Sequence, residues 1–132
     1  MAKQTIVDAS SMVDILVGSL SASAVRDRLQ GCELHAPAHF DAEVLSALGR
    51  LHRAGHLTAQ QAEARVEYAA NAPIERHPLA PLLAGAWKLR HNLRLVDALY
   101  VELANTLNAP VVTTDAGLAA ASQIAEYVSG DA

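Results

Sequence analysis

The chain of 132 residues contains one cysteine, Cys32. A lone thiol excludes a disulfide framework within the chain, and without partner cysteines a zinc ribbon or finger is excluded as well. A reducing compartment, the cytoplasm, is the expected setting. Long apolar runs are also missing. The longest, LAPLLAGAW from Leu79 to Trp87, falls far short of the ~20 residues that a membrane helix needs. Near the N-terminus, Asp8 and Asp14 interrupt the apolar part of a segment that otherwise has the lysine and small residues of a signal peptide. A soluble protein with no membrane association is expected. Positive charge is in deficit, with 10 basic against 14 acidic residues and a formal charge of -4. That balance excludes nucleic-acid binding by bulk electrostatics alone, so any such binding needs local help. Neither GxGxxG nor GxxxxGKS/T follows a strand, which excludes a phosphate-cradling nucleotide site.

What is present is an alternation of short β-branched runs and helical patterns. Thr5-Ile6-Val7 ends at Asp8, and Ser10 and Ser11 then start a helix through Leu16. A second helix begins at Ser21 or Ser23 and stops at Gly31, followed by a brief strand from Glu33 to Ala36. Phe40, Val44, Ala47, Leu48 and Leu51 recur at helical spacing within 38–54, and Thr58 caps a partner helix that lasts until Asn71. A strand over 74–77 lies between Pro73 and Pro78, and 79–89 reads as a helix with Pro81 in its first turn. A helix over 95–107, apolar nearly all round, precedes the strand Val111 to Thr114, a helix over 118–121 and a last strand over 125–128. Strands separated by helices must pair in parallel through crossovers. The expectation is an α/β fold, a short parallel sheet flanked by helices, in one domain over 1–132.

The acids fall at particular places in this order. Asp8 and Asp115 each stand where a strand gives way to a helix, so both belong at the carboxyl edge of the sheet, where open α/β sheets bind ligands. Asp97 begins the apolar helix within LRLVDALYVELA, and Glu43 lies in the first turns of another. Taken singly, each is an ordinary helix N-terminal acid. Taken together, they can face one rim. Two carboxylates ~4 Å apart repel by roughly 4 kcal/mol at an effective dielectric of 20, so such a cluster needs a cation. All-oxygen ligands in an open cleft favour a hard divalent ion, Mg2+ or Mn2+.

Four strings carry a resemblance to a known family: IVDAS with Asp8 and Ser10, PAHFDAEVLSALGRL with Glu43, LRLVDALYVELA with Asp97, and VVTTDAGLA with Thr114 and Asp115. In this order and spacing the chain resembles the PIN-domain ribonucleases, and among them the VapC-type toxins of toxin-antitoxin pairs. The resemblance implies a PIN-like fold and a metal-dependent RNA endonuclease. It assigns Asp8, Glu43, Asp97 and Asp115 to a site for one or two Mg2+ or Mn2+ ions, with Ser10 and Thr114 supporting them. The helix wheel alone does not choose between Glu43 and Asp41; the family pattern selects Glu43 and leaves Asp41 as a capping acid. The implied chemistry is in-line hydrolysis of a phosphodiester by metal-activated water. A homodimer and an antitoxin whose tail covers the cleft are implied as well, a basic antitoxin side chain being expected to neutralise the acids.

Positive charge for RNA is expected from Lys88, Arg90, His91 and Arg94, with Arg50 and Arg53 as the alternative source although such residues are more often plain surface; Asp14 reads as an exposed helix residue. His35 and His39, like His52 and His56, are four apart, but neither pair forms HExxH, so no zinc site is expected from them. Trp87 and Tyr100 are expected to pack in the core or an interface. An aspartyl phosphatase is disfavoured because Asp8-Ala9-Ser10 lacks the second acid such sites carry. The rival from another class is a noncatalytic RNA- or protein-binding module on the same scaffold.

Overall fold

The computed structural model describes residues 2–130, so the outermost residues of the expected 1–132 span, and with them the end of the SGDA tail, lie outside it. Five strands, β1 (Gln4–Val7), β2 (Glu33–Pro37), β3 (Ile74–His77), β4 (Val111–Thr113) and β5 (Ala125–Tyr127), form one sheet in the order β3-β2-β1-β4-β5. Every pairing is parallel. The helices are α1 (Ala9–Val17), α2 (Ala22–Leu29), α3 (Phe40–Arg53), α4 (Ala59–Asn71), α5 (Leu83–Lys88), α6 (Leu95–Leu107) and α7 (Ala116–Ala121).

Local chemistry sets the boundaries. Asp8 caps α1 by accepting from the Ser11 N–H, and Gly18 ends the helix in the left-handed region at φ 68°. Thr58 and Gln61 form a reciprocal capping box at the start of α4. Helix α3 carries Asp41 and Glu43 in its first turn and Arg50, His52 and Arg53 in its last, which complements its dipole at both ends. The helix expected over 79–89 is interrupted: Ala80–Leu82 is a 3-10 turn containing Pro81, and α5 follows it. Proline's missing N–H and ring sterics account for the tighter turn.

The core forms around the central strands. Ile6, Val7, Val111 and Val112 are fully buried on β1 and β4, with Phe40, Val44 and Leu48 of α3 and Ala98, Tyr100, Leu103 and Ala104 of α6 packed into the same cluster. Trp87, by contrast, lies outside the core, more than half exposed with the Arg90 guanidinium 4.6 Å from its ring centre. Among the described residues no helix is long and apolar enough to cross a membrane.

Strand order decides where a site can form. The chain leaves β1 toward β2 and β3 on one side, and leaves β4 toward β5 on the other. The helices after β1 and β4 therefore diverge, opening a crevice at the carboxyl ends of these two strands.

Phe40, the sole phenylalanine, is fully buried at the start of α3 with Arg76 over its ring. Phe40→Ala is expected to destabilise the chain by about 3–5 kcal/mol, measured by urea denaturation. A loss under about 1 kcal/mol would mean that the α3 start is not seated as described.

Candidate active site

The crevice at the switch point is a cleft of about 470 Å³, and Asp8, Glu43, Asp97 and Asp115 all line it, together with Ser10 and Thr114. These residues come from five places in the chain: the end of β1, α1, α3, α6 and the β4–α7 junction.

Asp8 is nearly buried, 4 % exposed. Its Oδ1 accepts from the Ser10 hydroxyl at 2.8 Å and the Ser11 N–H at 2.9 Å. Burial lifts its carboxyl above the ordinary value, while hydrogen bonds from Thr113, Ser11 and Ser10 pull the other way. Asp115 caps α7, its Oδ1 accepting from the N–H groups of Gly117 at 2.8 Å and Leu118 at 3.3 Å. Capping and cleft-lining are thus compatible: at both aspartates the backbone donors fall on one oxygen of the carboxylate.

Glu43 is fixed by Tyr100, whose hydroxyl donates to its Oε1 at 2.7 Å, with His39 Nε2 3.5 Å from the same oxygen. The buried phenol stands far above its ordinary pKa because burial and the Glu43 carboxylate both oppose its ionisation. Tyr100 is therefore a permanent donor. Asp97 answers to Arg94, which reaches it with Nε at 3.0 Å and Nη2 at 3.4 Å. Hydrogen bonding to Asp97 raises the Arg94 pKa, and the charges of Asp115 and Glu43 add to the effect.

Several assignments change with the structure. Asp41 is no capping acid: it pairs with Arg76 at 3.0 Å and lines a different pocket, while His39 occupies the cap position of α3. Asp14, read as exposed, is half-buried and lines the cleft one turn beyond Ser10 on α1. Arg50 is likewise at the cleft, on the α3 stripe Glu43-Ala47-Arg50. Intervals of three and four residues carry both signals. Of the expected basic group, Arg94 lines the cleft, whereas Lys88 and His91 are exposed outside it and Arg90 lies on Trp87.

The supporting hydroxyl that the sequence reading missed is Thr113. It is fully buried, its Oγ1 accepts from the Asp115 N–H at 2.9 Å, and it lies 3.4 Å from Ser10 Oγ. Thr114 lines the cleft and donates its backbone N–H to Ser10 Oγ at 3.3 Å. A buried threonine at the end of a valine strand must find a polar partner, which was the available signal.

With every carboxyl ionised, five acids and two arginines line the cleft, a local charge of -3 from 2 minus 5. The donor set is oxygen from carboxylates and hydroxyls, which suits a hard divalent cation.

A parallel sheet with an acidic cleft at the β1/β4 switch point defines the class, and the PIN domain profile matches residues 5–123. The chain belongs to the PIN-domain family. Ribonuclease VapC3 of Mycobacterium tuberculosis is 56 % identical over 120 residues, spanning 90 % of this chain and 88 % of its own. That relationship sets the chain among the VapC ribonucleases. Solved structures share the fold as well, two among them being toxins or toxin complexes. One is the Mycobacterium tuberculosis VapC20, a sarcin-ricin loop cleaving toxin, with a TM-score of 0.66 at 20 % identity over 89 % of this chain and 95 % of that one. The other is a toxin-antitoxin complex from Klebsiella pneumoniae, with a TM-score of 0.57 at 12 % identity over 84 % and 86 %.

Because burial lifts the Asp8 carboxyl, the folded chain holds that proton more tightly than the unfolded chain does. Stability then falls as pH rises from the ordinary carboxyl range, 3.8, through the raised value. Asp8→Asn keeps the capping oxygen and removes the charge. In the presence of chelator at neutral pH it is expected to raise the thermal midpoint by a few degrees. An unchanged or lower midpoint in circular-dichroism melts would count against a buried charge there.

Proposed function

We propose that the chain is a metal-dependent endoribonuclease toxin that hydrolyses RNA phosphodiester bonds at the carboxylate cleft. Asp8, Glu43, Asp97 and Asp115 are the metal ligands in this reading, with Ser10 and Thr114 as supports and Thr113 added to them. The observation that carries it is the meeting of the four carboxylates in one cleft with the partners just described. Mg2+ fits the all-oxygen donors, with Mn2+ as a substitute, in one or two ions. Bound there, the ion supplies activation of water and neutralisation of charge on the phosphate.

The chain's own residues do the positioning. Tyr100 fixes one oxygen of Glu43, and Ser10 with the Ser11 N–H fixes one oxygen of Asp8, so these ligands are oriented before any ion arrives. Arg94 holds Asp97 while the cleft carries its full negative charge, and its exposed guanidinium can turn to an RNA phosphate once a cation shares that charge. Arg50, on α3, gives the cleft a second cation. The acidic chain thereby gains the local positive charge that its overall balance lacks.

An antitoxin is the expected protein partner, in keeping with the VapC relationship. A basic antitoxin side chain entering the cleft would take the part that Arg94 plays at Asp97. The chain is further proposed to act in the cytoplasm, as one domain and as a homodimer. The exposed Leu83, Trp87, Leu95 and Val96 on α5 and the start of α6 supply apolar surface for self-association.

In an RNA cleavage assay with Mg2+ or Mn2+, Asp97→Asn and chelation are each expected to lower the rate by more than about 100-fold, beyond the usual cost of losing an outer partner. A binding module without catalysis would show no cleavage to lose. Tyr100→Phe keeps the buried ring but frees Glu43, and about a tenfold weaker Mn2+ affinity is expected in calorimetric titration. An unchanged affinity would remove Tyr100 from the site's support.

A further inference from the structure

The sequence carries the same Glu-x-His triplet twice, as Glu33-Leu34-His35 on β2 and Glu75-Arg76-His77 on β3. A strand's period of two puts the glutamate and histidine of each triplet on one face. The register then offsets the triplets, His35 lying opposite Glu75 and Pro37 opposite His77. His35 is consequently beside Glu75 and diagonal to His77, with its own Glu33 behind it.

The geometry follows from that offset. His35 Nδ1 is 2.9 Å from His77 Nε2 and 3.3 Å from Glu75 Oε2, and one ligand atom from each of the three residues falls within 4.8 Å of the others. On the far side of its ring, His35 Nε2 meets Glu33 Oε1 at 3.0 Å. A proton on Nε2, donated to that carboxylate, leaves Nδ1 with its lone pair directed toward His77 and Glu75. Metal-binding histidines are characteristically held this way, the second nitrogen donating to a carboxylate that fixes the tautomer and raises ligand basicity. His35 is 2 % exposed, whereas His77 is half-buried and Glu75 exposed, so the cluster is buried at its base and open to solvent at its mouth.

We propose that His35, Glu75 and His77 form a second metal site, for zinc or a similar borderline divalent ion, on the β3 side of the sheet. Two imidazoles and one carboxylate, with a fourth position left to water, are a zinc ligand set. Magnesium is disfavoured, because it prefers oxygen ligands. Without the ion, the close approach of His35 Nδ1 and His77 Nε2 needs a proton between them, carried by His77. Zinc binding through Nε2 moves that proton to His77 Nδ1 by way of solvent, so neutral imidazoles exchange one tautomer for the other with no net proton release. None of these residues lines the carboxylate cleft. The ion would clamp β3, an edge strand of the sheet, onto β2. The backbone carbonyl of His77 also accepts from the Ala38 N–H at 2.8 Å, two residues before α3, so the clamp bears on the segment that launches Glu43.

The test is Zn2+ titration of the full chain against a chromophoric chelator, in excess Mg2+ to fill the carboxylate cleft. The wild-type chain is expected to take one equivalent of zinc. His77→Ala and Glu75→Ala are expected to weaken it more than about tenfold, and Glu33→Gln by about tenfold. Asp97→Asn is expected to leave it unchanged. Zinc should raise the thermal midpoint of the wild-type chain and not that of His77→Ala, whose metal-free circular dichroism reports whether it folds. Three results would each overturn the site: no zinc uptake by the wild-type chain, uptake that survives His77→Ala, or uptake lost in Asp97→Asn. The last would return the ion to the carboxylate cleft. RNA cleavage enters none of these readouts, so the zinc site and the nuclease reading fail independently.

Discussion

Mutual repulsion of carboxylates at the switch point is the constraint around which this fold is arranged. Five acids share one cleft with two arginines. Carboxylates that line one partly desolvated cleft repel one another, so their surroundings must answer the charge. The answers differ by position. Backbone donors at helix starts meet Asp8 and Asp115, a buried phenol meets Glu43, and a guanidinium meets Asp97.

These answers come from the same elements that fold the chain. The cap of α1 orients Asp8, the cap of α7 orients Asp115, and the buried face of α6 brings Tyr100 to Glu43. An ordinary N-cap and a cleft-lining acid are therefore the same residue at these two positions. One oxygen serves the helix, and the carboxylate as a whole remains on the cleft wall. A cation shared by several carboxylates would complete an arrangement whose protein partners are already in place, in keeping with the metal dependence proposed for the chain.

Much of the architecture was legible in the residues. Short β-branched runs ending in aspartate marked β1 and β4, and the 3.6-residue spacing from Phe40 to Leu51 marked α3. The break at Pro81 and the short α5 were less legible, because a proline in a first turn suits either helix type. Glu43 was separable from Asp41 only by family pattern. The structure separates them physically, for Asp41 turns to Arg76 while Glu43 turns to Tyr100. Asp14 and Arg50 read as surface and Thr113 only as a strand residue because a helical or strand period shows which residues share a face, but not which face meets which.

The order of apolar and polar residues by itself determined an α/β chain with acids at strand ends and helix starts, since hydrophobic period and capping chemistry act over a few residues. Strand order, the parallel register that sets His35 beside Glu75, and the convergence of Asp8, Glu43, Asp97 and Asp115 were decided only by the tertiary structure. The reason is that each of these depends on contacts between residues tens of positions apart. Such contacts form when buried faces choose their partners, and local preference carries no record of that choice.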